Sequence, residues 1–296
     1  MRILRKQNIE DFLFFDIETA PSVPVLEKDT PLWDAWEYHC IKNGIEDVAG
    51  SYFKEAPLHG EFGRIACITI GAVRNGEIII KSFKDGDEKE LLENFNSSVS
   101  KFATNKTWLC GHVITGFDIP FVAKRCYVNG ILPHILFDVA HLKPWELSVM
   151  DTATLWKGTA FKMSTLISVC AALGVDSPKD DIDGGDVGKL FWEGGIDRIT
   201  DYCEKDVVAV VNVVRKLRGE EALERAVVEV IKPVGLIEHI FGGGEVTEDM
   251  LDELREVIST MDKKEKVMAR EILNSLPCRA KGKKTDITKA QIKTLF

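Results

Sequence analysis

Phe12-Leu13-Phe14-Phe15-Asp16-Ile17-Glu18-Thr19 carries two acids, two residues apart, inside an otherwise apolar run. Alternation along a strand turns Asp16 and Glu18 to the same side. A buried strand ordinarily excludes carboxylates, because an unpaired buried charge is costly. Two side by side also repel and raise each other's pKa. A hard divalent cation, which prefers oxygen ligands, keeps both ionised. The alternative is a strand that stops near Ile17 and leaves the acids in a solvated turn. The rest of the chain bears on that choice, because it supplies two further acids in matching settings.

Residues 12–17 read as the first strand. Residues 21–63 form an insert with no clear period, holding Pro21, Pro24, Pro31 and Pro57. Trp33, Trp36 and Tyr38 suggest a short helix within it, with the two tryptophans as base-stacking or core residues. Long inserts in compact domains are usually functional or mobile. Residues 64–73 read as a buried strand, Arg74-Asn75-Gly76 as a hairpin turn, and residues 77–83 as the return strand. The first three strands therefore form a meander. Residues 87–103 make an amphipathic helix with Leu91, Leu92, Phe95, Val99 and Phe102 on one face.

A short strand follows at 107–112. Asp118, just before a helix that has Pro120 near its start, matches helix N-terminal chemistry, so taken alone it reads as an N-cap. A further strand is expected around 135–139, and Asp151 reads as a strand-end cap. A helix runs from 164 to 173 and is closed by Gly174. Residues 178–185 form a polar loop. A long helix from about 196 to 217 carries Tyr202 and Asp206, four apart and therefore on one face. Residues 220–232 form another helix, stopped by Pro233, and Gly242-Gly243-Gly244 is the clearest linker. The expected organisation is a domain over 1–241 with its insert at about 21–63, then a basic helical extension over 246–296. Strands in a meander followed by alternating helices and strands indicate an α/β layered sheet.

The chain has 296 residues, of which 45% are hydrophobic and 29% charged, ordinary values for a soluble globular protein. No apolar run approaches a membrane span, and the first residues lack a signal-peptide core. The seven cysteines are scattered without a Cys-x-x-Cys pair, so neither a zinc site nor a disulfide framework is indicated. Reduced thiols in a cytoplasmic protein are the expectation. The net charge of −9 argues against a polyanionic partner. The charge is uneven, however: ten basic and four acidic residues between 261 and 296 leave +6 there and −15 on the rest. Such a tail grips a polyanion or is simply a solvated face.

An α/β sheet can bring together Asp16, Glu18, Asp118 and Asp206. Four carboxylates without cysteine or histidine are a ligand set for Mg²⁺ or Mn²⁺. Two such ions about 4 Å apart hold the attacking and leaving oxygens of an in-line phosphoryl displacement. The Tyr202 hydroxyl, with a usual pKa of about 10, is a poor base at neutral pH. Its expected role is to orient the attacking water.

With these residues in view, Asp16-Ile17-Glu18, Phe117-Asp118 and Tyr202-x-x-x-Asp206 resemble the three exonuclease motifs of the DEDD superfamily, tyrosine subclass. More narrowly, the chain resembles predicted 3′–5′ exonucleases related to the proofreading domain of family-B DNA polymerases. Phe62-Gly63-Arg64-Ile65-Ala66-Cys67-Ile68, Gly116–Phe121 and the Leu173-Gly174 to Gly184 stretch belong to the same likeness, which covers roughly 10–218. The resemblance implies a ribonuclease-H-like fold. It implies one ion on Asp16, Glu18 and Asp206, and a second on Asp16, with Asp118 acting largely through water. It implies 3′–5′ hydrolysis of nucleic acid, with single-stranded DNA as first substrate and RNA as the rival. Thr19 and Phe117, which adjoin the motif acids, are candidate substrate contacts, as are His112 and Lys179; His112 reads equally as a satisfied loop residue and Lys179 as a solvated one. Related enzymes usually carry Asn after Gly-His, where this chain has Val113. That departure keeps open a non-catalytic nucleic-acid-binding protein on a nuclease fold. The C-terminal helices suggest a grip on substrate or a docking module for a replication or repair partner.

Overall fold

The computed structural model describes residues 2–84, 86–143, 145–176 and 184–223. Its organising element is β1, Phe12–Pro21, in which every residue except Asp16 is buried. The strand thus runs three residues beyond Glu18, so neither acid lies in a turn. β1 pairs antiparallel with β2 (Gly63–Arg74), which pairs antiparallel with β3 (Glu77–Phe83). The connecting Asn75-Gly76 has φ of 52° and 80°, the left-handed pair that a two-residue hairpin loop demands. On its other side β1 pairs parallel with β4 (Trp108–Gly111), which pairs parallel with β5 (Val149–Asp151). The order β3-β2-β1-β4-β5 gives a mixed five-stranded sheet with helices on both faces. This is the expected α/β, ribonuclease-H-like arrangement.

Alternation along β1 divides the core. Leu13, Phe15 and Ile17 face the cluster that holds Leu91, Phe95, Ile119 and Val122. These come from α4 (Glu88–Phe102) and α5 (Asp118–Val128). Phe12 and Phe14 face the cluster holding Val207, Val210, Val211 and Val214 of α9 (Ile196–Arg218). α6 (Thr152–Lys157) follows β5 directly. α7 (Leu166–Leu173) packs on α9 through Val169 and Cys170, and α8 (Val187–Trp192) packs beside it. A short α1 (Arg2–Lys6) precedes the sheet, and Arg218 donates to the carbonyls of Leu4 and Gln7, tying α9 to it.

Three expectations need correction. No strand occupies 135–139; the fifth strand is Val149–Asp151. Phe137 N donates to His134 O at 2.8 Å in a turn that follows Pro133, and Ile135 is exposed. The turn instead drops Phe137 edge-on against Phe15 and Phe95, with centroids 5.2 Å apart in both pairs. The insert holds two helices rather than one, α2 (Pro31–Asn43) and α3 (Val48–Glu55). They enclose their own core of Trp36, Cys40, Tyr52 and Ala56, so Trp36 is a core residue. Asp118 does not precede α5 but is its first residue, with Phe117 at the N-cap position.

The long helix, the 87–103 helix and the Gly174 closure, with φ of 65°, stand where the sequence placed them. No helix among the described residues is long and apolar enough to cross a membrane. The chain divides into two units, Met1–Glu224 and Arg225–Phe296. Residues 220–223, where the helix expected over 220–232 would begin, are not helical; the rest of that helix, the glycine linker, the later helices and the loop bearing Lys179 lie outside the described residues.

Candidate metal centre

β1 presents Asp16 opposite Thr69 and Glu18 opposite Cys67. A register shift follows between Glu18 and Thr19, the mark of a β-bulge, a feature that often re-aims side chains beside functional sites. α9 brings Asp206 to the same face. Its close approach depends on Gly71, two strand positions from Thr69. A Cβ there would meet Val207 Cγ1 at 2.6 Å, and Val207 adjoins Asp206. One carboxylate oxygen each from Asp16, Glu18 and Asp206 lies within 4.8 Å of the others.

Asp118 joins them from α5. Its Oδ1 accepts from Ile17 N at 3.2 Å, the amide between the two β1 acids. The Cys203 thiol, three residues before Asp206, lies 3.5 Å from both Asp16 O and Asp16 Oδ2.

The electrostatics of this group are unfavourable without a cation. Burial holds Asp16 well above the usual carboxylate range, and the charges of Asp206, Asp118 and Glu18 push it further. Burial and then Asp206 act on Glu18 in the same direction. Asp118 rises to about 7, because burial outweighs the backbone N–H groups that bond to it. Burial also brings Asp206 to about 7. Asp206 Oδ1 is buried without any hydrogen-bond partner. A buried, unmatched carboxylate oxygen among like charges fits a hard divalent ion with oxygen ligands. Asp16, Glu18 and Asp206 would hold it directly, with Asp118 beside them.

Tyr202 lies half-buried on α9, one turn before Asp206. Thr19 is buried, and its hydroxyl donates to Pro57 O at 2.8 Å, fastening the insert to β1. Phe117 is half-buried against Phe121, with centroids 5.4 Å apart. His112 has both ring nitrogens engaged. Nε2 donates to Ser164 O at 2.9 Å, and Nδ1 lies 2.9 Å from the Thr152 hydroxyl. Burial lowers its pKa. His112 therefore ties the segment before α7 to the end of β4.

Asp151 does more than cap a strand end. It accepts from Ala153 N and Thr154 N of α6 and from Val113 N and Thr115 N of the loop before Asp118. Sequence reasoning missed this bracing role. It also missed Cys203, whose i, i+3 spacing from Asp206 was the available signal.

Val113 has φ of 69°. The left-handed region is hostile to a β-branched side chain and tolerant of Asn. Backbone shape is thus a reason why Asn would suit this position better than Val. The Asp151 bond to Val113 N holds the conformation in place. Val113→Asn is expected to raise stability by about 1 kcal/mol through relief of that strain. Urea unfolding would register it as a higher midpoint at unchanged slope. A lower midpoint would mean that the valine packing outweighs the strain.

A family model described as "Predicted 3′–5′ exonuclease related to the exonuclease domain of PolB" matches residues 56–220. That segment contains Asp118, Tyr202 and Asp206 and begins after Asp16 and Glu18. Among solved structures, the chain is similar to the family B DNA polymerase from the hyperthermophilic archaeon Pyrobaculum calidifontis, at 14% identity and a TM-score of 0.44. The likeness covers 84% of this chain and 29% of the polymerase, so the chain spans less than a third of that protein's length. No curated protein matches the sequence.

Proposed function

Because the chain belongs to the family of predicted 3′–5′ exonucleases related to the exonuclease domain of PolB, we propose that it hydrolyses phosphodiester bonds at the 3′ end of a nucleic acid with the help of divalent ions. The observation that carries this reading is the acid trio, one carboxylate oxygen from each lying within 4.8 Å of the others, with Asp206 Oδ1 buried and partnerless. Mg²⁺ or Mn²⁺ is the proposed ion, since a set of carboxylate ligands favours hard cations. Asp16, Glu18 and Asp206 would hold the first ion, and Asp16, with Asp118 largely through water, would serve a second. Bound ions would supply an activated water and neutralise charge on the attacking and leaving oxygens.

The chain's own groups do the positioning. The Tyr202 hydroxyl, one turn before Asp206 on α9, would orient the attacking water. The Asp118 carboxylate, fixed by Ile17 N, stands between the β1 acids. Single-stranded DNA is the proposed first substrate and RNA the rival. The test uses 5′-labelled DNA and RNA of one sequence with Mg²⁺ or Mn²⁺, beside an EDTA control. Shortening from the 3′ end, abolished by EDTA, is the expected result, and the relative rates rank the two sugars. Intact strands with folded protein and metal present would leave the non-catalytic binding protein as the surviving reading.

A further inference from the structure

Among the described residues, Arg64 is a cation without an acid. It stands on β2 opposite Ala20, two residues past Glu18, or about 7 Å along the strand. Its guanidinium lies over the rings of Phe191 and Trp192 of α8, with centroid distances of 5.0 and 5.9 Å. Trp192 is itself fixed, because Nε1 donates to Pro21 O at 3.2 Å. α8 and α9 share one buried cluster with Ala20, Ala66 and Cys67. Arg64 is therefore on the same sheet face as the acid trio, toward the end at which β1 leaves the sheet.

Its hydrogen bonds are incompletely used. NH2 donates to Gly86 O at 2.9 Å, while Nε is buried without a partner. The nearby Arg125, which is buried, has a different fate. Arg125 grips Glu88 through Nε at 2.9 Å and NH2 at 2.5 Å. Both arginines line one open cleft of about 450 Å³, together with Ser22, Asn129, Asp87 and Glu88. Glu88 is neutralised by Arg125, and Asp87 caps α4 by accepting from Lys89 N at 2.8 Å. Among the described residues, no carboxylate forms an ion pair with Arg64.

A planar guanidinium stacked on aromatic rings, whose NH1 has no hydrogen bond among the described residues and whose NH2 keeps a second N–H, suits a two-oxygen acceptor such as a phosphodiester. The Gly86 carbonyl takes one N–H and leaves the NH1/NH2 edge of the guanidinium with donors to spare. We propose that Arg64, braced by Phe191 and Trp192, is a subsite for one backbone phosphate of the nucleic-acid strand whose end lies at the acid trio. This subsite rests on the nuclease reading above and names how the strand is held.

The test measures binding apart from cleavage. Full-length Asp206→Ala protein is titrated with a fluorescein-labelled single-stranded oligonucleotide over a range of salt, followed by anisotropy. Adding Arg64→Met is expected to weaken binding about tenfold. The slope of log K against log salt should fall by about 0.7, the value for one phosphate contact on a single strand. Arg64→Lys, which keeps the charge but not the fork, should keep the slope and regain part of the affinity. Folding is checked by melting; if Arg64→Met melts below the assay temperature, Arg64→Lys decides, and affinity equal to the parent's overturns the subsite. Unchanged affinity and slope in a folded Arg64→Met protein also overturn it, as does weaker binding at unchanged slope, the sign of a purely structural clamp. If the parent binds no strand at all, the nuclease reading fails and takes the subsite with it.

Discussion

Asp206→Ala should abolish metal-dependent trimming while leaving the metal-free protein at least as stable as the wild type. Three acids share oxygens within 4.8 Å, and one Asp206 oxygen has no partner. Removing that side chain relieves repulsion on Asp16 and Glu18 in the absence of an ion. With an ion it removes a ligand, and a rate loss of about 10³-fold or more is expected, equivalent to about 4 kcal/mol of transition-state stabilisation.

Thermal melting separates the two effects. Mn²⁺ at 100 times its Kd should stabilise the wild type by about 2.7 kcal/mol and the variant by almost nothing. The pH dependence has a definite sign. Asp118 and Asp206 have folded-state pKa values raised to about 7. Their contribution to metal-free stability is complete below the unfolded value of about 4 and is lost as pH rises through 7. The wild-type metal-free melting temperature should therefore fall between pH 5 and pH 8, and saturating Mn²⁺ should oppose the fall. Equal Mn²⁺ shifts in wild type and Asp206→Ala would remove the metal centre from this location.

Arg125→Met should unfold the protein more readily by about 3–5 kcal/mol, the range for stranding one partner of a buried ion pair. Glu88 and Arg125 are each only 7% exposed. Glu88 Oε1 also accepts from Ile65 N at 2.6 Å, and Asn129 Nδ2 donates to Oε2 at 3.1 Å. Arg125 NH1 donates to Gly60 O at 3.0 Å, so the pair joins β2, α4, α5 and the insert. With methionine at 125, the Glu88 charge keeps two neutral donors and loses its counter-ion. The double variant Glu88→Gln with Arg125→Met should recover much of the loss, since the two sites are in contact and their effects are not additive. Urea unfolding of the single and double variants measures the coupling. A single-variant loss below about 1 kcal/mol would mean the pair behaves like a surface bridge.

Much of this was legible in the chain because the signals are local. Asp16 and Glu18 in an apolar run, the Asn75-Gly76 turn and the period of 196–217 each declare themselves within a short window. Val149–Asp151 did not, because three residues cannot show a period of two. The more apolar stretch at 135–139 drew the assignment instead and proved to be a turn that buries Phe137. The Glu88–Arg125 pair is 37 residues apart in sequence, and no window joins them. Arg64 looked like part of a strand, because its missing counter-ion is a fact of packing. The left-handed backbone at Val113 was hidden by a residue type that ordinarily refuses it. Asp118 was read as a cap because its chemistry matched one; its actual acceptor role, toward Ile17 N, needs the strand and helix already assembled.

β1 is hydrogen-bonded on both sides, to β2 and to β4, and Gly71 lets α9 seat directly on the sheet. The carboxylates are consequently spaced by the folded chain before an ion arrives. Such a cage loses little freedom on filling, so little of the binding energy is spent on ordering. If it holds an ion as proposed, it would also discriminate by ionic radius. Mg²⁺ wants six oxygens at about 2.1 Å, whereas Ca²⁺ spreads six to eight over about 2.3–2.6 Å. A cage built on the central strand yields poorly to the larger ion, and selectivity among cations becomes a property of the sheet.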